Sequence, residues 1–225
     1  YDIPKSLEGY YQETGRAGRD GGEGMCVAFY SPKDLVKLKK FMEGKPVSEQ
    51  DIGNQLLAET KAYVESSVCR RRLLLHYFGE HYGDENCHKC DNCLHPHEYI
   101  EASKELLRVL KVILAIKGKF KIDHIVNIMM GIGTEEVISH CHEQLPEFAS
   151  GSSKEASYWN ALIKQAILSG YIEKEVENYG LLSVTKSGKK FMSSIEPFYF
   201  KENSVFGDYE PEAEEGTAVL DEVLL

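Results

Sequence analysis

The chain has 225 residues, of which 42% are hydrophobic and 28% charged, and this ordinary soluble composition excludes a disordered chain. No apolar run approaches the roughly 18–20 residues that a membrane span needs, which excludes a membrane protein as well. The formal net charge is −10, but residues 202–225 alone carry eight acidic and no basic side chains, so the charge does not exclude nucleic-acid binding elsewhere.

The first residues, from Tyr1 to Lys5, contain neither an initiator Met nor the apolar core of a signal peptide. We therefore expect an excised piece of a larger intracellular protein. Residues 1–31 predict a helix that ends at Gly15, a glycine-rich turn up to Gly24, and a buried strand at Met25–Tyr30. One helix and one strand cannot bury a core, so this segment is expected to be the remnant of an α/β domain.

Residues 32–97 predict helices followed by a cysteine-rich loop. Ser31 and Pro32 are typical of a helix start. A second amphipathic helix is predicted between Ile52 and Tyr63, and a third from Arg70 to Phe78.

Residues 98–200 predict helices followed by a two-stranded hairpin and a closing helix from Lys186. The helices are expected near 101–117, 121–130 with 134–143, and 154–169, and the strands at Ile172–Val176 and Leu181–Thr185. This order is that of a winged helix, a variant of the helix-turn-helix. The expected fold class is therefore mainly α with a small β content, and residues 201–225 are predicted to be an acidic linker or tail.

Four of the six cysteines have the spacing Cys-x17-Cys-x2-Cys-x2-Cys, at Cys69, Cys87, Cys90 and Cys93. Three thiolates on a tight turn, with a fourth from the preceding helix, can complete a tetrahedron around one zinc ion. The polar loop between them has no sizeable apolar core, so a metal would have to hold it together. We predict one closed, structural zinc site.

The same cysteine spacing is also compatible with three other interpretations. These are a set of disulfides, an iron–sulfur cluster, and a zinc site in which His88, His95 or His97 replaces one thiolate. The ferredoxin-type run would need a fourth Cys three residues after Cys93, and none is there. Cys26 and Cys141 lie in apolar contexts and are expected to be buried free thiols.

The string Gln12-Glu13-Thr14-Gly15-Arg16-Ala17-Gly18-Arg19 places two arginines on a glycine-rich turn. Rigid guanidinium forks suit the stabilisation of a transferring phosphoryl group, although a plain surface turn would have the same composition. The string closely resembles motif VI of superfamily 2 helicases. Together with the cysteines downstream, the chain resembles the RecQ family of DNA helicases over about residues 5–200.

The resemblance implies a domain order. Residues 1–31 would be the end of the second RecA-like domain, 32–97 a helical zinc-binding subdomain, 98–200 a winged-helix (RQC-type) DNA-binding domain, and 201–225 a linker. It also implies an ATP-dependent 3′–5′ DNA helicase of DNA repair, recombination and replication, monomeric and located in the bacterial cytoplasm at the nucleoid.

In that family the motif VI arginines reach nucleotide bound mainly to the first RecA-like domain. Arg16 and Arg19 match them, with Arg19 favoured as the arginine finger, and Gln12 matches a polar position of the motif or is a surface amide. The chain has no Gly-x4-Gly-Lys-Ser/Thr phosphate loop and no acidic Mg²⁺ box. We therefore expect ATP and Mg²⁺ to act only in the intact helicase, and the chain alone to be inactive as an ATPase.

The resemblance also implies contacts with forked or duplex DNA. Gly133 and Thr134 begin one helix, and Ser152 and Lys154 lead into the recognition helix, where free backbone N–H groups would bind phosphates. Both segments could equally be ordinary helix caps. Tyr179, near the hairpin tip, would stack on the terminal base pair and separate the strands, or would be an ordinary turn residue. Trp159 is expected to lie in the core rather than against DNA.

Two other functions compete with a helicase. One is a zinc-containing winged-helix transcription regulator, and the other is a protein-interaction module with a structural zinc. The motif VI string argues against the regulator, which has no use for it, and salt-dependent affinity for forked DNA would separate a helicase from an interaction module.

Overall fold

The computed structural model describes residues 3–17, 21–175 and 180–204, and the chain divides into two compact units. The first contains residues up to Lys61 and the second comprises Ala62–Ser204. Within the described residues, no helix has both the length and the apolar character that crossing a membrane would take.

The first unit contains α1 (Leu7–Thr14), α2 (Pro32–Lys40) and most of α3 (Val47–Glu65). Local signals set the starts of the first two helices. The Ser6 hydroxyl caps α1, and Ser31 and Asp34 form a reciprocal capping box at the start of α2, with Pro32 as its first residue. The predicted helix start at Ser31 and Pro32 and the predicted helix end at Gly15 are confirmed.

The predicted buried strand at Met25–Tyr30 is wrong. This segment is extended but forms no ladder in the structure, only an isolated bridge at Phe29, and Met25 and Phe29 are 87% and 70% exposed. An apolar strand is buried only when neighbouring strands pair with it, and the described residues supply none. Cys26, expected to be buried, is exposed for the same reason.

The second unit begins with the end of α3 and continues through α4 (Arg70–Tyr77), α5 (Asp91–Leu94) and β1 (Ile100–Glu101). The winged helix follows. Its helices are α6 (Ser103–Ala115), α7 (Ile122–Met130), α8 (Glu135–Ser139), α9 (Ala156–Leu168) and α10 (Lys186–Ser193). A short 3₁₀ turn covers His142–Gln144.

The wing is an antiparallel hairpin of β2 (Ile172–Glu175) and β3 (Leu181–Val184), in which Ile172 pairs with Val184. A second ribbon pairs β1 with β4 (Tyr199–Phe200), so the segment after α10 returns to the start of the domain. The hairpin tip, residues 176–179, lies outside the described residues.

The winged-helix core is continuous and apolar. Its buried cluster runs from Ala102 to Phe200 and includes Trp159, which is 1% exposed. The Trp159 indole N–H donates to the Gly151 carbonyl at 3.0 Å, which confirms that this ring belongs to the core.

The predicted helix at 134–143 is shorter than expected. It ends at Ser139 because Cys141 adopts a left-handed backbone, with φ of 56°, which an α-helix cannot continue. Cys141 is exposed, not buried as predicted.

Candidate metal centre and nucleic-acid interface

Four thiols converge in the second unit. Cys69 precedes α4, Cys87 lies in the following loop, Cys90 precedes α5, and Cys93 lies within it. Their sulfur atoms are all within 4.8 Å of one another. The Cys87 and Cys93 sulfurs are 3.9 Å apart, close to the roughly 3.8 Å that tetrahedral Zn–S bonds of about 2.3 Å would give. The cluster therefore fits one structural Zn²⁺.

Backbone N–H groups point at these sulfurs. The N–H of Arg70 donates to the Cys90 sulfur, that of Cys87 to the Cys93 sulfur, and that of Cys90 to the Cys87 sulfur, each at 3.4 Å. Such donors stabilise thiolates, which are the form that binds zinc.

Without a bound cation, the surroundings of the cluster oppose ionisation of Cys93. Burial, together with the neighbouring Cys90 and Cys69 groups, raises the pKa of Cys93 to about 12. Burial also disfavours the Cys87 thiolate, but the Lys89 and Cys90 N–H groups outweigh it and lower the Cys87 pKa to about 7. A divalent cation removes this mutual repulsion, because it binds all four groups as thiolates.

The competing metal assignments fit less well. All four cysteines are free, and a sulfur separation of 3.9 Å is far from a bond of about 2.05 Å. The described His side chains do not join the cluster, and His97 instead lies 3.3 Å from the Ser204 hydroxyl. Sulfurs within 4.8 Å of one another enclose a single ion rather than a multi-iron cluster.

Arg70 connects the helices around the thiols. Its guanidinium forms a two-pronged contact with Asp91, at 3.0 Å from Nε to Oδ1 and 2.9 Å from Nη2 to Oδ2. Nη1 donates to the carbonyls of Tyr63 and Val64 at the end of α3. Burial opposes ionisation of Asp91, but Arg70 outweighs it and lowers the carboxyl pKa. The planar Arg fork thus joins α3, α4 and α5.

Asn92 fastens α5 from the inside. It is 5% exposed, and its side-chain amide donates to the carbonyls of Ser66 (2.6 Å) and Val68 (2.8 Å). These carbonyls belong to the buried linker between α3 and α4. The short metal-binding helix is therefore held by hydrogen bonds as well as by thiols.

The segment 201–204 ties the thiol cluster to the winged helix. Gln165 on α9 exchanges two hydrogen bonds with the Lys201 backbone. The Ser67 hydroxyl donates to the Glu202 carbonyl, and the Ser204 N–H donates to the Glu65 carbonyl at 2.8 Å. The cysteine cluster and the wing are thus parts of one unit.

The residues predicted to contact DNA lie at two turns. The Thr134 hydroxyl caps α8 by accepting from the Val137 N–H. The backbone N–H groups of Thr134, Ser152 and Lys154 donate within their own turns, so these three are not free to bind phosphate. The side chains of Ser152 and Lys154 are exposed, and the Lys154 ammonium lies 4.9 Å from the centre of the Tyr158 ring. Gly133 is exposed beside Thr134, and Tyr179 lies outside the described residues.

The motif VI residues are described in part. Gln12 on α1 and Arg16 in the following turn are exposed, whereas Arg19 lies outside the described residues.

The winged helix also contains a histidine cluster that was not predicted from the sequence. His124 contacts Glu136 through Nδ1 and His142 through Nε2, each at 2.8 Å, and Phe120 stacks on the His124 ring with centroids 4.0 Å apart. Burial lowers the pKa of both His124 and His142. The pairing is long-range, so the only signal in the sequence was the local pattern His140-x-His142.

Comparisons with known proteins agree with this geometry. The RecQ zinc-binding family matches residues 32–94, and the RQC domain matches residues 96–206. The chain is 34% identical to the ATP-dependent DNA helicase RecQ of Pasteurella multocida over 88% of this chain and 31% of that protein. It is 33% identical to RecQ of Haemophilus influenzae, over 88% and 32%.

A eukaryotic helicase is similar to the chain at nearly the same level of identity. The chain is 33% identical to the ATP-dependent DNA helicase hus2/rqh1 of Schizosaccharomyces pombe over 79% of this chain and 14% of that protein. The chain spans about a third of the length of the bacterial relatives. With a thiol cluster that fits zinc, a winged helix beside it, and both domain matches in the same order, the chain belongs to the RecQ family.

Proposed function

We propose that this chain is the DNA-handling region of an ATP-dependent 3′–5′ DNA helicase that works in DNA repair and recombination at the bacterial nucleoid. The observation that carries the proposal is the bonding of the thiol cluster to the winged helix through residues 201–204. This arrangement lets a metal-stabilised segment fix the orientation of a DNA-binding wing. In the proposed order, the RecA-like end covers residues 1–31, the zinc-binding subdomain 32–97, the winged helix 98–200 and the linker 201–225. The first four residues of the linker, 201–204, belong to the second compact unit.

In this proposal Cys69, Cys87, Cys90 and Cys93 hold the zinc, and the motor residues act only in the intact helicase. Gln12, Arg16 and Arg19 would complete an ATP site whose phosphate loop is not in this sequence. The isolated chain is therefore inactive as an ATPase, and measurable turnover by the pure chain would contradict this part of the proposal.

The DNA contacts are assigned to the winged helix. Gly133, Thr134, Ser152 and Lys154 contact the backbone of a forked duplex, and Tyr179 stacks on its terminal base pair, with one chain bound per fork. This assignment is supported by exposure to solvent, which the structure gives for Gly133, Ser152 and Lys154.

Binding of the chain to a fluorescent forked duplex, followed by anisotropy over a salt series, tests the proposal. We expect affinity that falls steeply with salt, and Lys154→Ala should reduce the slope of log K against log[salt] by about 1. Lys104→Ala, an equally exposed lysine on α6, is the matched control and should leave the slope unchanged. An absence of salt-dependent binding would sink the proposal.

A winged-helix transcription regulator is not favoured, because the relatives are helicases. The same assay separates the two functions. A regulator would prefer one duplex sequence, whereas the proposed region should prefer a fork over a blunt duplex of the same sequence.

A further inference from the structure

The turn between α6 and α7 carries three lysines in five residues, at Lys117, Lys119 and Lys121. All three side chains are exposed. Among the described residues, no carboxylate oxygen lies within 4.0 Å of any of their ammonium groups. Asp123, two residues after Lys121, forms no such ion pair with the three lysines, which are therefore available to bind an anion.

The backbone of this turn disfavours one of the lysines. Lys117 has a φ of 59° just after the last turn of α6, where Gly118 donates to the Ile113 carbonyl at 2.9 Å. This is the helix-ending position that glycine occupies most easily, since a side chain with φ above zero is strained. Local folding therefore does not explain a lysine here.

The turn is held firmly against the wing. The Phe120 carbonyl accepts from the Leu182 N–H of β3 at 3.0 Å, and the Phe120 ring stacks on His124. A Cβ on Gly118 would lie 2.9 Å from the Leu182 carbonyl oxygen, so the two backbones are in close contact. Phe120 is partly buried against the winged-helix core, whereas Lys119 and Lys121 on either side of it are exposed.

The two turns assigned to DNA contacts under the proposed function are poor in positive charge. Glu135 and Glu136 follow Thr134, and Glu147 and Glu155 flank the turn whose only cation is Lys154. Affinity for DNA comes mainly from cations that neutralise phosphates. The turn with Lys117, Lys119 and Lys121 supplies three such cations beside the hairpin of β2 and β3.

We propose that Lys117, Lys119 and Lys121 form a contact with the phosphodiester backbone of DNA alongside the wing. The proposal rests on the proposed function, because it presupposes that the chain binds DNA. The partner is recognised by its phosphates rather than by its bases, so forked and blunt duplexes of any sequence should use this surface.

The test compares two triple variants of equal charge change in the anisotropy assay. Lys117→Gly/Lys119→Ala/Lys121→Ala should weaken binding about tenfold or more at 0.1 M salt and reduce the salt slope by two to three. Lys37→Ala/Lys39→Ala/Lys40→Ala on α2, also exposed, is the control and should change the affinity less than twofold. Equal losses in both triples would show an effect of net charge alone and would overturn the proposal, as would an unchanged affinity of the first triple.

Two further readouts keep the outcomes separable. Lys117→Gly alone should melt no lower than the unmodified chain, because glycine relieves the positive φ, and yet it should bind DNA more weakly. Weaker binding together with a lower melting temperature would assign Lys117 a structural role and count against the proposal. If the unmodified chain fails to bind DNA at all, the proposed function fails, and the lysine contact, which presupposes it, fails with it.

Discussion

His124 uses both of its ring nitrogens inside the winged helix, and its side chain is 2% exposed. Because the Glu136 carboxylate can only accept, His124 Nδ1 carries the proton and Nε2 accepts from His142. A proton added to His124 would force His142 to move its own proton from Nδ1 to Nε2, and it would place a charge on a buried ring. The folded state therefore resists protonation, in line with the pKa of His124, which burial lowers despite the opposing pull of Glu136.

This lowered pKa predicts that stability falls in mild acid. Above the ordinary histidine pKa of about 6.5, His124 is unprotonated in both the folded and the unfolded state. As the pH falls below this value, the unfolded state binds more protons than the folded state, so the free energy of unfolding decreases. The decrease ends once the pH has passed the lowered pKa of His124 in the folded state. We expect a lower melting temperature at pH 5.5 than at pH 7.5, and a smaller pH difference in His124→Phe. His81→Gln, a change at an exposed histidine, should keep the full difference. An undiminished difference in His124→Phe would contradict this assignment.

At the scale of elements, α5 is too short to be stable alone, with four residues from Asp91 to Leu94. It persists because Cys90 and Cys93 flank the metal position, Arg70 clamps Asp91, and Asn92 bonds the linker before α4. Of these contacts, the Asn92 amide is the most deeply buried, so its loss leaves two carbonyls without a donor or water.

Asn92→Ala should lower the free energy of unfolding by about 1–3 kcal/mol, the cost of unsatisfied buried polar groups. Chemical denaturation measures this change, and the rate of zinc release to a coloured chelator should rise in parallel. Asn160→Ala removes a comparable amide bond, to the Ala156 carbonyl at 2.9 Å, from the surface of α9 and should cost much less. Equal costs for the two variants would show that burial of Asn92 does not matter.

Helices and the metal centre could be predicted from the sequence where neighbouring residues determine them. Ser31 and Pro32 set the start of α2, Gly15 ends α1, and the spacing of the four cysteines indicated the metal centre. The prediction failed where the cause lies elsewhere in the chain. The burial of Met25–Tyr30 depends on partner strands, and the early end of α8 depends on the left-handed Cys141.

Some parts of the candidate site were likewise predictable from the sequence, and others were not. The thiols were predictable because ligand spacing is a property of the sequence. The His124–His142 contact and the bonds of residues 201–204 to α9 and the linker before α4 were not, because they join segments distant in sequence. The turns in which the Ser152 and Lys154 N–H groups donate were likewise not predicted, because only the folded chain reveals them.

At the scale of the whole molecule, the two parts of the second unit are stabilised differently. Every member of the buried hydrophobic cluster lies between Ala102 and Phe200, within the winged helix. The cysteine segment buries only a few side chains, among them Val68, Cys69 and Asn92. Its folding must therefore draw on the metal, whose binding in small zinc modules supplies about 10 kcal/mol or more.

Removal of zinc should consequently unfold the cysteine segment while the winged helix stays folded. On titration with a strong chelator, we expect helical circular dichroism to decrease as α4 and α5 are lost, and the fluorescence of Trp159, the only tryptophan, to keep its buried emission maximum. Limited proteolysis should then cut between Cys69 and Cys93, and added Zn²⁺ should restore protection. A red shift of Trp159 emission at the same chelator concentration would show instead that the metal supports both parts, because the ring reports only on the winged-helix core.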